Sequence, residues 1–466
     1  MSSYGRTRSK ARRNLRIAAG AAIAALVILV ALAIFRVGHE PAVSIEPGMP
    51  GLGAATPIAI VIEEDQRGVG EVQAELVQGD LVVPIGAVEH PQRPFWALWG
   101  PRTPSARIEA VVGRDSVEGL EEGNATIRVT AERAGTWLRR PEPVVAEAEL
   151  PVRFRPPAIA VLSAFIYAAQ GGSEAVVYRV GEHAAIHGVR AGDAWFPGSP
   201  LPGGAPDERF VLFGIPYDLE DFAKIRLVVA DDLGNEAAIP FLDRFTPKPY
   251  RRSTISLSDE FLQKVVPGIV AQTPGIEEGD TLLETYLWIN GELRQRNSAH
   301  LLELGGRSAE ELFIRRPFVQ QPNSQVMDQF AAARTYRYGG ETVDQQVHLG
   351  YDLASTRRAP VAAANRGRVL LAEYFGIYGN TVVLDHGYGL MSLYAHLSSI
   401  DVEPQQMVEL GQSLGRTGET GLAGGDHLHF TVLVRGVPVN PDEWLDGAWI
   451  RNRIAAKLGP AFPFEE

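Results

Sequence analysis

The sequence predicts a mainly β protein with five parts: an N-terminal transmembrane helix, two β-sandwich-like modules, a helical hairpin, and a C-terminal antiparallel β-sheet domain with an open groove. Three observations carry this. An uncharged run stands at 17–35, short apolar runs with a period of two fill much of 58–240, and the last 130 residues alternate β-branched runs with glycines. At 466 residues the chain is too long for a single core and is sized for about three soluble domains.

Arg6, Arg8, Lys10, Arg12, Arg13 and Arg16 precede the run Ile17–Phe35, which Arg36 ends. Nineteen residues at 1.5 Å each make about 28 Å of helix, close to the hydrocarbon thickness of a bilayer. The run is apolar on every face, unlike a core helix. Cations ahead of it place residues 1–16 in the cytoplasm as a basic tail and the remainder outside. The expectation is a single-pass inner-membrane signal anchor at 17–35. A signal peptide cleaved after Ala31-Leu32-Ala33 is the alternative, although the run exceeds the usual apolar region of such peptides.

Charge is distributed unevenly. Of the 44 Lys/Arg and 56 Asp/Glu in the chain, seven and one lie in residues 1–40, so the rest carries 37 and 55. An acidic exported part argues against a nucleic-acid partner. The chain has no cysteine, so any metal is held by His, Asp or Glu.

Pro41 to Gly53, rich in Pro and Gly, reads as a linker. Ile58–Ile62, Glu71–Leu76, Asp80–Pro84 and Gly123–Glu132 read as strands of a module over 41–155. Pro156-Pro157 marks a break, and a second β module is expected over 156–246 from Ala175–Val180, Phe210–Phe213 and Lys224–Asp231. The Lys224–Asp231 run resembles Thr126–Glu132, about one module length earlier. These modules read as spacers or docking surfaces for a protein regulator. A helical connector is expected over 253–316. Its first helix starts at a Ser258 cap and stops before Pro267, and its second is capped by Asp280, with a stripe of Leu282, Leu283, Tyr286, Leu287, Ile289 and Leu293. It packs against the C-terminal domain, with a cover over the site as the less favoured role.

That domain, 320–445, is followed by a tail at 446–466. Its strands are Gly367–Leu371, Thr381–Leu384, Leu390–Tyr394 and His429–Val434. It holds His348, Asp352, His396, His427 and His429. His427 and His429, two apart, share a strand face. His348 and Asp352, four apart, share a face of a strand or of a helix, and Gly350 between them leaves room for a close approach. Burying five such groups without partners costs several kcal/mol, so a metal and its supporting groups are expected there. No H-E-x-x-H helix is present.

The set His348-Leu-Gly-Tyr-Asp352, Tyr394-Ala-His396-Leu397 and His427-Leu-His429-Phe430, in that order, resembles the lysostaphin/LytM-type zinc endopeptidases of peptidoglycan over about 330–445. Val361-Ala-Ala, Asp385-His386-Gly, Gly411-Gln-Ser-Leu-Gly415 and Thr417-Gly418-Glu-Thr-Gly421 support it. The resemblance implies one Zn2+ ion on His348, Asp352 and His429, with His396 and His427 as catalytic residues. It implies cleavage of peptidoglycan stem peptides or cross-bridges on the periplasmic or extracellular side. His386 reads as structural. The family's transition-state tyrosine has three candidates here, Tyr336, Tyr338 and Tyr394. The family also contains members that lack ligands and activate other wall hydrolases. A non-catalytic activator or binder is therefore the alternative function, and a zinc hydrolase of another peptide a third.

Overall fold

The computed structural model describes residues 4–465. Residues 1–3 of the expected basic tail lie outside them. Helix α1 spans Tyr4–Phe35, so most of that tail is helical as well. Among the described residues, Lys10–Phe35 is the one helix long and apolar enough to cross a membrane.

The chain folds as two compact units, which divide after Pro156 except that Ala230–Asn235 belongs with the first. The first holds a sandwich of two antiparallel sheets. One orders Ala42–Pro47, Thr56–Glu63 and Ser105–Val112. The other orders Leu81–Glu89, Glu71–Gln78, Gly123–Ala131 and Val144–Val152. Alternate residues point inward, and Ile58, Ile60, Ile62, Val72, Leu76, Ile127 and Val129 meet in one core. The stretch expected as a linker is thus partly a strand. Ala42–Pro47 pairs antiparallel with Thr56–Glu63, using the β-branched Val43 and Ile45 between its flanking prolines.

The second unit begins with two four-stranded sheets built around Ser173–Val180 with Glu208–Gly214 and around Ala184–Ala191 with Ile225–Asp231. Their core continues into the C-terminal domain, where Phe210 meets Tyr388 edge-on at 4.8 Å. The central sheet there orders Gln325–Asp328, Tyr351–Ala354, Leu428–Val434, Leu390–Leu397, Asn380–Gly387, Gly367–Tyr374 and Met407–Val408, all antiparallel. A smaller sheet joins Glu341–His348 to Ala332–Tyr338, which pairs in parallel with Arg252–Leu257. The first residues of the connector therefore complete a sheet of the site domain.

Three helices follow Arg252–Leu257: α2 (Asp259–Gln272), α3 (Leu282–Trp288) and α4 (Arg294–Gly305). Ser258 caps α2 through Phe261 N–H. The helix runs through Pro267 rather than stopping before it. Burial of Leu262, Val265, Val266 and Ile269 on one face outweighs the one lost hydrogen bond. Helix α3 is capped by Thr281, not Asp280, because Thr281 and Glu284 form a reciprocal capping box. A single wide turn, Ile289–Leu293, joins α3 to α4 without a break. Of the stretch expected as a tail, the described residues 446–465 are largely helical, and Ile450, Ile454, Leu458 and Phe462 enter the core.

Candidate metal centre

Histidine 348 ends the strand Glu341–His348 in the small sheet. Leu349-Gly350 then turns the chain, and Asp352 lies in Tyr351–Ala354 of the large sheet. The two residues are therefore not on one strand, as their even spacing suggested; they meet across a sheet-to-sheet turn. Asp352 stands directly opposite His429, so their side chains leave one face together. His429 in turn faces Ala395. Simple alternation would then send His396 to the other face. Its positive φ, 63°, breaks the alternation and brings it to the same cavity. His427 immediately precedes the strand Leu428–Val434.

All five side chains line one cavity of about 350 Å³. His348 Nε2, Asp352 Oδ1 and His429 Nδ1 form a triangle with every edge 3.0 Å. The outer ring nitrogens show where the protons sit. His348 Nδ1–H donates to the Gln329 carbonyl at 3.3 Å. Thr431 Oγ1–H donates to the Leu349 carbonyl at 3.0 Å, so toward His429 Nε2, also 3.0 Å away, the hydroxyl must accept. Both inward nitrogens are consequently lone pairs, and they converge on a carboxylate oxygen with no hydrogen among the three. That arrangement is repulsive unless a cation sits at its centre. On a tetrahedral zinc at 2.0–2.1 Å, ligand atoms stand about 3.3 Å apart, so the triangle is nearly the right size. The donor set fits zinc.

The supporting groups are oriented equally tightly. Asp352 Oδ2 accepts from Arg334 Nη2 at 2.7 Å, and the same guanidinium donates to Asp328 Oδ2 at 2.6 and 3.0 Å. Burial by itself raises the Asp352 carboxyl; a protonated His348, or a proton donated by His427 or His429, holds it well below the usual carboxylate range. Burial pushes His429 down to about 4. It also pushes His396 well down, helped by the neighbouring imidazoles. For His427 burial acts in the same direction, and the adjacent Asp352 carboxylate overrides it, leaving a net rise.

His396 and His427 stand side by side, ring centres 4.8 Å apart. Each donates Nδ1–H to a backbone carbonyl, His396 to Thr420 and His427 to Gly425, both at 2.8 Å. Each keeps Nε2 available, and His427 Nε2 lies 3.4 Å from Asp352 Oδ1. His386 lies elsewhere in the core, with its nitrogens bonded to the Arg366 carbonyl and the Ser392 hydroxyl at 2.7 Å each.

Of the three candidate tyrosines, Tyr336 lines the cavity. Tyr338 instead donates to Asp259 at 2.6 Å, and the Tyr394 hydroxyl is buried against Ala364 N–H and Ser392. The residue that sequence reasoning missed is Tyr378, whose ring centre lies 5.7 Å from that of His429. It sits on a tight turn, Gly376–Tyr378, held by Asn297 of α4 through Ile377 N–H at 3.1 Å. The glycines around it, Gly376 and Gly379, were the available signal. The connector also forms a wall of the cavity through Ile255, Phe261, Tyr286 and Arg294.

A second carboxylate–histidine group, His39, Glu64 and Asp65, is of a different kind. Glu64 already accepts from the N–H groups of His39, Gln66, Arg67 and Gly68, which makes it a loop staple.

Residues 346–441 match the profile of Peptidase family M23. The chain is similar to the peptidoglycan DD-endopeptidase ShyB of Vibrio cholerae, with 36% identity over 135 residues, covering 29% of this chain and 31% of that protein. It is also similar to the murein hydrolase activator EnvC of Escherichia coli, with 31% identity over 138 residues, covering 30% and 33%. A crystal structure of a putative peptidase M23 from Pseudomonas aeruginosa aligns over 59% of this chain and 93% of that one, at 21% identity and a TM-score of 0.35. The chain spans about a third of the length of these two curated relatives.

Proposed function

Proceeding from the M23 peptidase domain at the C-terminus of this chain, we propose a membrane-anchored, zinc-dependent endopeptidase that hydrolyses peptide cross-links of bacterial peptidoglycan. The observation that carries the metal reading is the hydrogen-free triangle of His348 Nε2, Asp352 Oδ1 and His429 Nδ1. Those three residues would hold the ion, and His396 and His427 would act on the substrate. Zinc bound there supplies a Lewis acid that acidifies a water and polarises a carbonyl.

The chain's own groups do the rest. Thr431 and Gln329 hold the two imidazoles in the tautomers that bind a metal. Arg334 keeps Asp352 aimed. His396 and His427, each with Nδ1–H tied to the backbone, present Nε2 to take a proton or to return one to a leaving amine. Apolar Ile255, Phe261, Ile377 and Leu422 beside Arg294 and Arg334 suit an extended peptide bearing carboxylates. Helix α1, with its cations at the start, supports an uncleaved anchor in the inner membrane and a site on the periplasmic or outer side. The relatives named as peptidoglycan hydrolases support the substrate class.

The test is the purified full chain in detergent, incubated with intact sacculi and zinc. Soluble muropeptides are expected, and His348→Ala abolishes their release. Stoichiometric zinc without released fragments would sink the proposal. EnvC, named as an activator, motivates the second reading of a non-catalytic activator of wall hydrolases. The complete set of five side chains weighs against it, and under that reading His348→Ala would leave the cellular phenotype intact.

A further inference from the structure

Three of the seven tryptophans are largely exposed on the first unit: Trp96 at 59%, Trp99 at 80% and Trp137 at 61%. Leu98 and Leu138 beside them are exposed too. Large apolar side chains clustered in this way mark a contact surface. Their placement says what the contact is. Both loops that carry them are hydrogen-bonded to the C-terminal end of α1 or to Arg36, the residue that follows it. Arg36 Nη1 donates to the carbonyls on either side of Trp96, those of Phe95 at 3.0 Å and of Ala97. Thr136 Oγ1, adjacent to Trp137, donates to the Ala33 carbonyl at 2.5 Å, and Arg139 Nη1 to that of Ile34 at 3.1 Å. The buried Arg67 locks the arrangement from behind, donating to the carbonyls of Arg93 at 2.7 Å and Gly135 at 2.5 Å.

The tryptophan loops are therefore level with residues 33–36. Counted from Ile17, a helix reaches the far edge of a hydrocarbon layer after about 28 Å, which is at Phe35. That edge is the depth at which indole rings concentrate in membranes, with the ring apolar and the N–H wet. Arg102, Arg139 and Arg140 are exposed on the same loops and suit the phosphates of lipid headgroups.

We propose that Trp96, Trp99 and Trp137 form an aromatic collar that seats the first β module on the outer lipid interface around the exit of α1. The partner is the bilayer itself. The proposal rests on the reading of α1 as a retained anchor. Its consequence is that the module is held to the membrane by two loops besides the helix, and so does not swing freely at the end of a tether.

The experiment uses the full chain reconstituted into phosphatidylcholine vesicles brominated either near the carbonyl end or near the methyl end of the acyl chains. Tryptophan emission should be quenched more strongly by the shallow bromines. The triple variant W96F/W99F/W137F should lose most of that quenching, and each single variant a part of it. Helix α1 contains no tryptophan, so it adds no signal of its own. Extraction with alkaline carbonate separates the two readings. Protein stripped from the vesicles overturns the anchor and the collar together. Protein that stays inserted but is unquenched, or a triple variant quenched like the wild type, overturns the collar alone. Quenching lost in an inserted triple variant supports it.

Discussion

At the residue scale, the site depends on hydrogens that are absent. Thr431 has one hydroxyl hydrogen, and Leu349 takes it, so His429 must offer Nε2–H and keep Nδ1 free. Thr431→Val removes that acceptor at nearly constant volume. Zinc affinity should fall about 10–100-fold, read by competition with a chromogenic chelator, while the fold persists. Gly350 is a second control point. A methyl added there meets Thr431 Oγ1 at 2.5 Å and His429 Cε1 at 2.7 Å. Neither can withdraw without turning the ligand, so Gly350→Ala should lose both zinc binding and hydrolysis, and thermal melts should still show a cooperative transition. His396 carries the other local oddity, a left-handed backbone at 63°, which a β-branched residue tolerates badly.

At the scale of elements, helix α4 lines the cavity with Arg294 and fixes its tight turn with Asn297. Asn297 is buried and accepts from Ile377 N–H, fixing the turn that carries Tyr378. Gly376 in that turn has φ of 49°, and Asn297 occupies the space where its side chain would go. Asn297→Ala leaves a buried N–H unpaired, and should cost about 1–3 kcal/mol in urea unfolding. The same variant should lower turnover if Tyr378 contributes to the reaction. The contact between α2 and the facing loop is weaker. Lys264 bonds Glu419 at 2.7 Å and the Gly424 carbonyl at 3.1 Å, but both ionic side chains are 40% exposed. Lys264→Ala should therefore change stability by less than about 1 kcal/mol.

At the scale of the second unit as a whole, a buried carboxyl links its two ends in sequence. Glu443 accepts from Ser173 N–H at 2.6 Å and Ser173 Oγ–H at 3.0 Å, and Trp444 Nε1–H donates to the same hydroxyl. Burial raises Glu443 from 4.5 to about 8. The folded state then holds a proton that the unfolded chain gives up above about pH 4.5. Stability from this group is complete below that pH and is lost as pH rises toward 8. Glu443→Gln should flatten this part of the pH dependence of the melting temperature. An unchanged slope would assign it to other groups.

The residues that meet at the cavity were legible because they stand in short, ordered motifs: His348 to Asp352, then His427 to His429. The period-two runs likewise exposed the strands of both sandwiches, and the apolar run exposed α1. What the chain order concealed was the turn at Leu349-Gly350, which puts His348 and Asp352 in different sheets, because even spacing is equally compatible with one strand. Also concealed were the continuation of α2 through Pro267, decided by packing of its buried face, and the helical turns of 447–461, whose apolar residues find partners in distant strands.

By itself, the sequence determined that this is a mainly β chain with an apolar N-terminal helix and a C-terminal M23 domain, and which side chains are able to hold a metal. Composition, periodicity and motif order are local properties, and they suffice for that. Only the tertiary structure decided which nitrogens face inward, that His396 reaches the cavity, that Tyr378 and the connector helices wall it, and that two loops bearing exposed tryptophans bond to the end of α1. Each of these depends on a hydrogen bond or a packing contact between residues far apart in the chain, and no local pattern encodes which partner will arrive.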